Sequence, residues 1–127
     1  MTGRKPTAWP LPDAATARQE VVARVGEELT ARLEAVRLVV LDCDGILTGG
    51  QLLYGPDGEA LKAFDARDGL GLMMLWQAGV ARAVLTGRTS EMVARRCRDL
   101  RFEAIAMGRF DKQEALEIVA KCQEAGL

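Results

Sequence analysis

The sequence predicts an α/β fold built around a parallel sheet. Two short apolar runs, Leu38–Leu41 and Val80–Leu85, each end at a polar turn, which is typical of buried parallel strands. The stretch between them contains an apolar segment, Leu70–Trp76, that predicts a buried helix. A shorter run, Glu103–Ala106, predicts a third strand.

The bulk composition indicates one small domain and excludes several classes of protein. Of the 127 residues, 49% are hydrophobic, which is sufficient for a packed core. A net charge of -1 argues against nucleic acid as the main partner, and no apolar run approaches the length of a membrane span. Cys43, Cys97 and Cys122 form no CxxC pair and favour a reduced, cytoplasmic setting. The absence of histidine excludes His-based catalysis and His-ligated zinc.

The N-terminal part of the chain is expected to lie outside the catalytic core. Residues 1–12 hold three of the four prolines and predict a flexible lead. Asp13 can cap an amphipathic helix over residues 13–36, and residues 37–127 would form the core. The helix carries one apolar stripe at every fourth residue: Val21, Val25, Leu29 and Leu33. This stripe either packs on the core or forms a contact between subunits.

Two carboxylates, Asp42 and Asp44, follow the first predicted strand directly. Side chains alternate along an extended chain, so both point the same way. Open α/β sheets bind their ligands at this end of their strands. Two close carboxylates repel one another unless a cation or a proton lies between them, and Mg²⁺ is a hard cation that prefers oxygen ligands. The alternative is a pair of aspartates that only caps the next turn.

Two later positions extend this prediction. Thr86 follows the second apolar run, where its hydroxyl and the N–H groups before the next helix could hold a phosphate. Its alternative is a helix cap, which Ser90 would also supply. Lys112 follows the predicted helix cap Asp111, in a first turn where the helix dipole disfavours a cation. An anion beyond the helix end would favour it there, and the alternative is an ordinary surface lysine.

The segment between the first two strands predicts a hairpin and then a helix. Apolar residues on both sides of Gly55–Gly58, over Gln51–Tyr54 and Glu59–Phe64, indicate a β-hairpin. Asp68 is expected to cap a helix that starts near Gly69, is apolar nearly all round and is therefore buried.

The pattern Asp-x-Asp-Gly-x-x-Thr over residues 42–48 resembles the first signature of the haloacid dehalogenase-like (HAD) phosphohydrolases. Thr86-Gly87-Arg88 and Lys112 resemble the second and third signatures, in the family's order. The resemblance implies a Rossmann-like core in which Asp42 is the nucleophile, forming an aspartyl-phosphate, and Asp44 is the general acid/base. It also implies that Thr86 and Lys112 are catalytic and that Asp42 and Asp44 hold Mg²⁺.

The resemblance is strongest to the branch that includes 3-deoxy-D-manno-octulosonate 8-phosphate (KDO 8-phosphate) phosphatase. It implies a sugar-acid phosphate as substrate and a homotetramer in which neighbours cover one another's active sites. It further implies no cap domain, with the hairpin serving as a flap over the site. The substrate-binding residues that it implies are Thr48, Lys62, Arg67, Asp68, Gly87 and Arg88.

HAD enzymes carry a fourth, acidic signature, which is not found before Leu127. The sequence therefore predicts a truncated phosphatase that lacks its C-terminal strands, with an incomplete active site and an open edge on its first strand. Two other interpretations are a receiver-type phospho-acceptor domain and a non-catalytic oligomerisation module or inactive fragment.

Overall fold

The computed structural model describes residues 13–124, which belong to two compact units that divide between Arg37 and Leu38. The first unit contains helix α1, Ala14–Val25, and helix α2, Glu27–Glu34. Asp13 caps α1 as predicted, because its carboxylate accepts hydrogen bonds from the N–H groups of Ala15 and Thr16. The predicted lead, residues 1–12, lies outside the described residues.

The prediction of one continuous helix over residues 13–36 is wrong. Gly26 separates α1 from α2 with φ 85° and ψ 165°, a backbone conformation that glycine adopts without steric cost. Arg18 of α1 forms exposed ion pairs with Glu27 and Glu34 of α2, which link the two helices. The apolar stripe along these helices is exposed at all four positions: Val21, Val25, Leu29 and Leu33.

The second unit contains a three-stranded sheet, a hairpin and three helices. The sheet is formed by β1, Leu38–Leu41, β4, Ala81–Thr86, and β5, Ala104–Met107. The hairpin strands are β2, Leu53–Gly55, and β3, Gly58–Leu61. The helices are α3, Ala66–Gln77, α4, Glu91–Asp99, and α5, Lys112–Glu124.

The sheet is parallel, with strand order β1-β4-β5, so the predicted fold class is confirmed. Leu38 lies opposite Ala81 and Thr86 lies opposite Met107, so all three carboxyl ends reach the same edge of the sheet. Within residues 13–124, β1 pairs with β4 alone and is an edge strand, as the sequence indicates. The hairpin also forms as predicted, with Pro56 and Asp57 between its strands.

Helix α3 differs from its prediction in its start and in its burial. Asp65, not Asp68, is the cap, because its carboxylate accepts a hydrogen bond from the N–H of Arg67 at 2.7 Å. Asp68 lies in the first turn instead, where a negative charge complements the helix dipole. The helix is not buried all round. Leu72 lies in the core, whereas Leu70 is 47% exposed, because α3 buries one face only.

The core lies around β4 and connects the elements that carry the sequence signatures. Its buried cluster consists of Cys43, Leu47, Leu72, Val84, Val93, Cys97 and Leu100. Cys43 and Cys97 are free thiols in this cluster, and burial raises the pKa of each to about 11. Since Cys43 is itself buried, the turn that carries its two aspartate neighbours is anchored to the core.

A fully buried arginine, Arg82, lies within β4, where the sequence predicts an apolar strand. Its guanidinium donates hydrogen bonds to the carbonyl oxygens of Leu72 at 2.7 Å and Arg101 at 2.6 Å. It also pairs with the Glu103 carboxylate at 3.1 Å. Arg82 therefore joins α3, the turn after α4 and the start of β5 at the end of the sheet opposite to the carboxyl ends.

None of the helices in the described part of the chain is long and apolar enough to cross a bilayer.

Candidate active site

The carboxyl edge of the parallel sheet brings together residues from all three strands. Leu41 of β1 lies opposite Val84 of β4; Asp42 is the next residue after Leu41, and Thr86 lies two residues beyond Val84. The loop after β5 leads to Lys112, the first residue of α5. Ligands of open α/β sheets bind at this edge. The sheet topology therefore places Asp42, Asp44, Thr86 and Lys112 in one region.

Asp42 forms an ion pair with Lys112 at this edge of the sheet. The Lys112 ammonium donates to Asp42 Oδ2 at 2.5 Å, and the N–H of Cys43 donates to Oδ1 at 2.7 Å. The hydrogen bond from Lys112 is the main reason that the pKa of Asp42 lies below its usual value. The Asp42 side chain is 37% exposed. It is therefore an ionised carboxylate that a substrate can approach.

Asp44 is held by two other cations. The Lys62 ammonium donates to Asp44 Oδ1 at 2.8 Å, and Arg88 Nε lies 3.7 Å from Oδ2. Burial lowers the pKa of Lys62, but its pairing with the carboxylates of Asp44 and Glu59 outweighs this effect, so the net shift of the pKa is upward. Lys62 is therefore a fixed positive charge at neutral pH, and the two aspartates are neutralised by separate side chains.

Thr48 and Gly45 shape the turn that carries the aspartates. The Thr48 hydroxyl accepts hydrogen bonds from the N–H groups of Gly45 at 3.4 Å and Gly50 at 3.2 Å. Gly45 has φ 84°, which favours glycine, and the Cys43 carbonyl accepts the N–H of Leu47 at 2.9 Å. In this structure the Thr48 hydroxyl therefore holds the loop.

Thr86 is buried at the end of β4, and its hydroxyl accepts the N–H of Arg88 at 3.4 Å. Gly87 follows it beneath an aromatic ring. A Cβ at Gly87 would lie 3.1 Å from the ring of Phe110, so a side chain there would force the ring to move. The ring of Phe110 is in turn exposed beside the loop that leads to Lys112. Ser90 caps α4, so the Thr86 hydroxyl is not needed as the helix cap.

The remaining predicted substrate-binding residues differ in their accessibility. The Arg67 side chain is 91% exposed and pairs with Asp65, and Asp68 lines an open groove together with Ile46 and Leu47. Arg88 is partly exposed, and its side-chain contacts are long: 3.5 Å to Tyr54 Oη and to Glu59 Oε2, and 3.7 Å to Asp44 Oδ2. Arg67, Asp68 and Arg88 are thus open to a ligand.

Lys62 is enclosed, in contrast to the role expected for it. Its side chain is only 2% exposed and lies 2.8 Å from both Asp44 and Glu59. Glu59 belongs to β3 and was not predicted as a site residue; its side chain is 12% exposed. The spacing of Glu59 and Lys62, three residues apart at the end of a predicted strand, was the only signal in the sequence for this pair.

The donor atoms at this edge suit a hard divalent cation. Asp42 and Asp44 supply carboxylate oxygens, and Mg²⁺ is commonly bound by one or two carboxylates together with waters and a substrate phosphate. Among residues 13–124, no group of three or more acidic, cysteine or histidine side chains is placed around a common metal position. Asp42 and Asp44 are therefore the described side chains that fit such an ion.

Comparisons with known proteins show which proteins this chain resembles. No protein-family model matches the chain. The KDO 8-phosphate phosphatase of Haemophilus influenzae is 45% identical over 84 residues, which are 66% of this chain and 47% of that protein. The crystal structure of the Moraxella catarrhalis KDO 8-phosphate phosphatase holds magnesium, phosphate and KDO. It matches with a TM-score of 0.69 and 40% identity, over 79% of this chain and 56% of that one.

A HAD-superfamily hydrolase of subfamily III A from Legionella pneumophila has a TM-score of 0.72 at 29% identity, covering 87% of this chain and 58% of that one. The chain spans about half the length of the relatives it matches, 47% in the case of the Haemophilus influenzae protein. These likenesses decide against the receiver-domain interpretation. In sequence and in fold, the chain is therefore similar to the phosphatases of the HAD superfamily, among them KDO 8-phosphate phosphatases.

Proposed function

We propose that the protein hydrolyses the phosphate monoester of a sugar acid, KDO 8-phosphate, to KDO and phosphate. The observation that carries this proposal is the exposed, ionised Asp42 carboxylate, paired with Lys112 and lying two residues from Asp44 at the carboxyl edge of the sheet. The names of the relatives support the choice of substrate, since two of those compared are KDO 8-phosphate phosphatases.

In the first step, Asp42 attacks phosphorus, the bond between phosphorus and the sugar oxygen breaks, and an aspartyl-phosphate forms. Asp44 donates a proton to the departing sugar oxygen. Lys112, which pairs with Asp42, and the Thr86 hydroxyl would stabilise the charge on the phosphoryl oxygens. Arg67, Asp68 and Arg88, which are open to a ligand, would hold the sugar acid, and the backbone at Gly87 would contact the phosphate.

In the second step, Asp44 takes a proton from a water molecule, and this water attacks the phosphorus of the aspartyl-phosphate. The bond between phosphorus and Asp42 then breaks, which releases phosphate and restores the carboxylate. Mg²⁺ held by Asp42 and Asp44 would supply charge neutralisation for the phosphoryl oxygens.

One observation favours a second candidate, a non-catalytic domain of the same fold. Both aspartates already have cationic partners, Lys112 for Asp42 and Lys62 for Asp44, and such pairs can stabilise a fold without any catalytic use. The two candidates differ in what happens when substrate and metal are added. Only the phosphatase should release phosphate and form a covalent phospho-intermediate.

The test measures phosphate release from KDO 8-phosphate with and without added Mg²⁺, for the parent, Asp42→Asn and Asp57→Asn. Asp57 lies in the exposed turn of the hairpin and is the matched control. We expect Asp42→Asn to reduce the rate by about a thousandfold or more, since nucleophile losses are of this size, and Asp57→Asn to leave it unchanged. Near-parent turnover by Asp42→Asn would refute the assignment of the nucleophile, and an inactive parent would favour the non-catalytic domain.

We also propose a homotetramer that works in the cytoplasm. The open site supports a role for neighbouring subunits, because Arg67 is 91% exposed and an exposed site needs another surface to exclude water. The exposed stripe Val21, Val25, Leu29 and Leu33 is available for such a contact. The free, buried thiols of Cys43 and Cys97 suit a reducing compartment. Light scattering tests the assembly, and a monomer with full substrate specificity would contradict it.

A further inference from the structure

Four charged side chains form a compact network beside the aspartates: Asp44, Glu59, Lys62 and Arg88, called here the charge network. The Lys62 ammonium lies 2.8 Å from Asp44 Oδ1 and 2.8 Å from Glu59 Oε1. Arg88 lies 3.7 Å from Asp44 Oδ2 and 3.5 Å from Glu59 Oε2. Each carboxylate therefore faces both cations, and the formal charges of the network sum to zero.

Lys62 is the enclosed centre of this network. Its side chain is 2% exposed, whereas the Arg88 side chain is 36% exposed. A buried ammonium is tolerated only when it is paired and hydrogen-bonded, and the pairing requires both carboxylates to remain in place. Because Lys62 lies between Asp44 and Glu59 and is closed to solvent, a substrate reaches Asp44 and Arg88 without meeting Lys62.

Glu59 is the second carboxylate that pairs with Lys62. It lies in β3, with its side chain 12% exposed, and its Oε1 is buried. This oxygen lies at ion-pair distance from Lys62 but outside hydrogen-bonding geometry, so the contact is mainly electrostatic. Glu59 therefore attracts Lys62 without fixing its orientation, and the directed hydrogen bond of Lys62 goes to Asp44.

We infer that Lys62, held by Glu59, is a positioning residue that fixes the Asp44 carboxylate for proton transfer, and that it does not bind the substrate. The inference rests on the proposed function, in which Asp44 is the general acid and base. It assigns the hairpin a part in the acid–base apparatus, because β3 and the residue after it set where the Asp44 side chain points.

The first experiment compares Lys62→Met with Lys121→Met, an exposed lysine of α5 that serves as the matched control. With KDO 8-phosphate we expect Lys62→Met to lower kcat by about tenfold to a hundredfold, the usual effect of misplacing a catalytic group, and to leave KM within about twofold. The control should change neither. A KM that rises tenfold with an unchanged kcat would show that Lys62 binds substrate and would overturn the inference.

A second substrate separates positioning from a general loss of structure. p-Nitrophenolate leaves without being protonated, so Lys62→Met should still form the phospho-intermediate rapidly from p-nitrophenyl phosphate. It should then hydrolyse this intermediate slowly, because Asp44 is misplaced for activating water. We expect a burst approaching one p-nitrophenolate per active site, followed by slow turnover. Uniform slowing of burst and turnover would indicate a structural role only and would overturn the inference.

A third measurement does not depend on activity. Glu59→Gln reaches Asp44 through Lys62 and Arg88, so the inference expects it to shift the ¹³C NMR signal of the Asp44 carboxylate. Glu117→Gln, an exposed residue of α5, is the control. An unchanged Asp44 signal in Glu59→Gln would overturn the inference, whether or not the parent is active. A parent that releases no phosphate would separately refute the proposed function. If Lys62→Met does not fold, the double variant Glu59→Gln/Lys62→Met, which also removes the carboxylate left unpaired at Glu59, takes its place in the first two tests.

Discussion

Replacing Arg82 with methionine should be among the most destabilising single changes in the sheet. Methionine keeps an apolar stem but removes the guanidinium, leaving the carbonyl oxygens of Leu72, Leu100 and Arg101 without this donor. It also leaves Glu103 without its cation. A single unsatisfied buried acceptor costs about 1–3 kcal/mol, and breaking a buried ion pair costs about 3–5 kcal/mol.

These costs are not simply additive, because the Glu103 side chain is 31% exposed and can be rehydrated. We therefore expect Arg82→Met to lower the free energy of unfolding by about 3–5 kcal/mol, a large part of the roughly 5–15 kcal/mol that a domain of this kind has. Unfolding in urea, followed by far-UV circular dichroism, measures the change.

Two variants provide the comparison. Glu103→Gln keeps an acceptor for the N–H of Arg82, now at 2.7 Å, but leaves the buried guanidinium without its carboxylate, so it should also be destabilising, by about 3 kcal/mol, the low end of the range for breaking a buried pair. Arg95→Met removes an exposed arginine of α4, whose side chain is 74% exposed, and should change stability by no more than about 0.5 kcal/mol. A loss below about 1 kcal/mol for Arg82→Met would refute the reasoning, because it would mean that the buried guanidinium contributes no more than a surface contact.

Three further changes test separate features. Burial raises the pKa of Cys43 and Cys97 from 9.0 to about 11. The stability that the two protonated thiols contribute is therefore complete below pH 9 and is lost as the pH rises towards 11. The urea concentration at the unfolding midpoint should fall over that pH range, and it should fall less steeply in Cys97→Ala. Gly71→Ala lies within α3, with nothing within 4 Å of the added Cβ, and should stabilise the protein by about 0.5–1 kcal/mol. Gly26→Ala, at φ 85°, should destabilise the protein. Equal shifts of the two melting temperatures would contradict this. Lys112→Met should raise the pKa of Asp42 towards its usual value, so an acid limb set by Asp42 in the pH–rate profile should move to higher pH. Phosphate release should also fall about a hundredfold. A rate and a pH profile like those of the parent would exclude Lys112 from the mechanism.

The parts of the fold that sequence reasoning predicted are those with local signals. The apolar runs ending at Asp42 and Thr86 became neighbouring parallel strands, and Ser90 and Asp111 begin helices as their side-chain chemistry suggests. Two wrong predictions, the cap of α3 and the continuous N-terminal helix, also have local causes. Asp65 and Asp68 are equally good cap residues by composition, and the choice between them depends on where the chain leaves the hairpin. Gly26 could lower helix propensity or break the helix, and propensity alone does not separate the two outcomes.

Tertiary features gave no comparable signal. An arginine inside a predicted strand is usually on an exposed face, and only the fold shows that the carbonyl oxygens of Leu72, Leu100 and Arg101 converge on Arg82. Glu59 is equally unremarkable in the sequence. Its contact with Lys62 could be guessed from their spacing, but the contacts of both with the turn after β1 depend on how the hairpin packs against that turn.

Lys62 and Lys112 are both expected at the site from the sequence, but the structure gives them different surroundings. Each donates a hydrogen bond to one of the two aspartates, Lys62 to Asp44 and Lys112 to Asp42. Their exposures differ, however, with 2% for the Lys62 side chain and 50% for that of Lys112. An exposed ammonium on the first turn of a helix can turn from the carboxylate to the oxygens of an arriving phosphate, because both are within reach of a flexible stem. An enclosed ammonium between two carboxylates cannot leave without stranding them. Exposure therefore separates the lysine that an arriving phosphate can reach from the lysine that is closed to it, and exposure is a quantity that spacing along the chain does not contain.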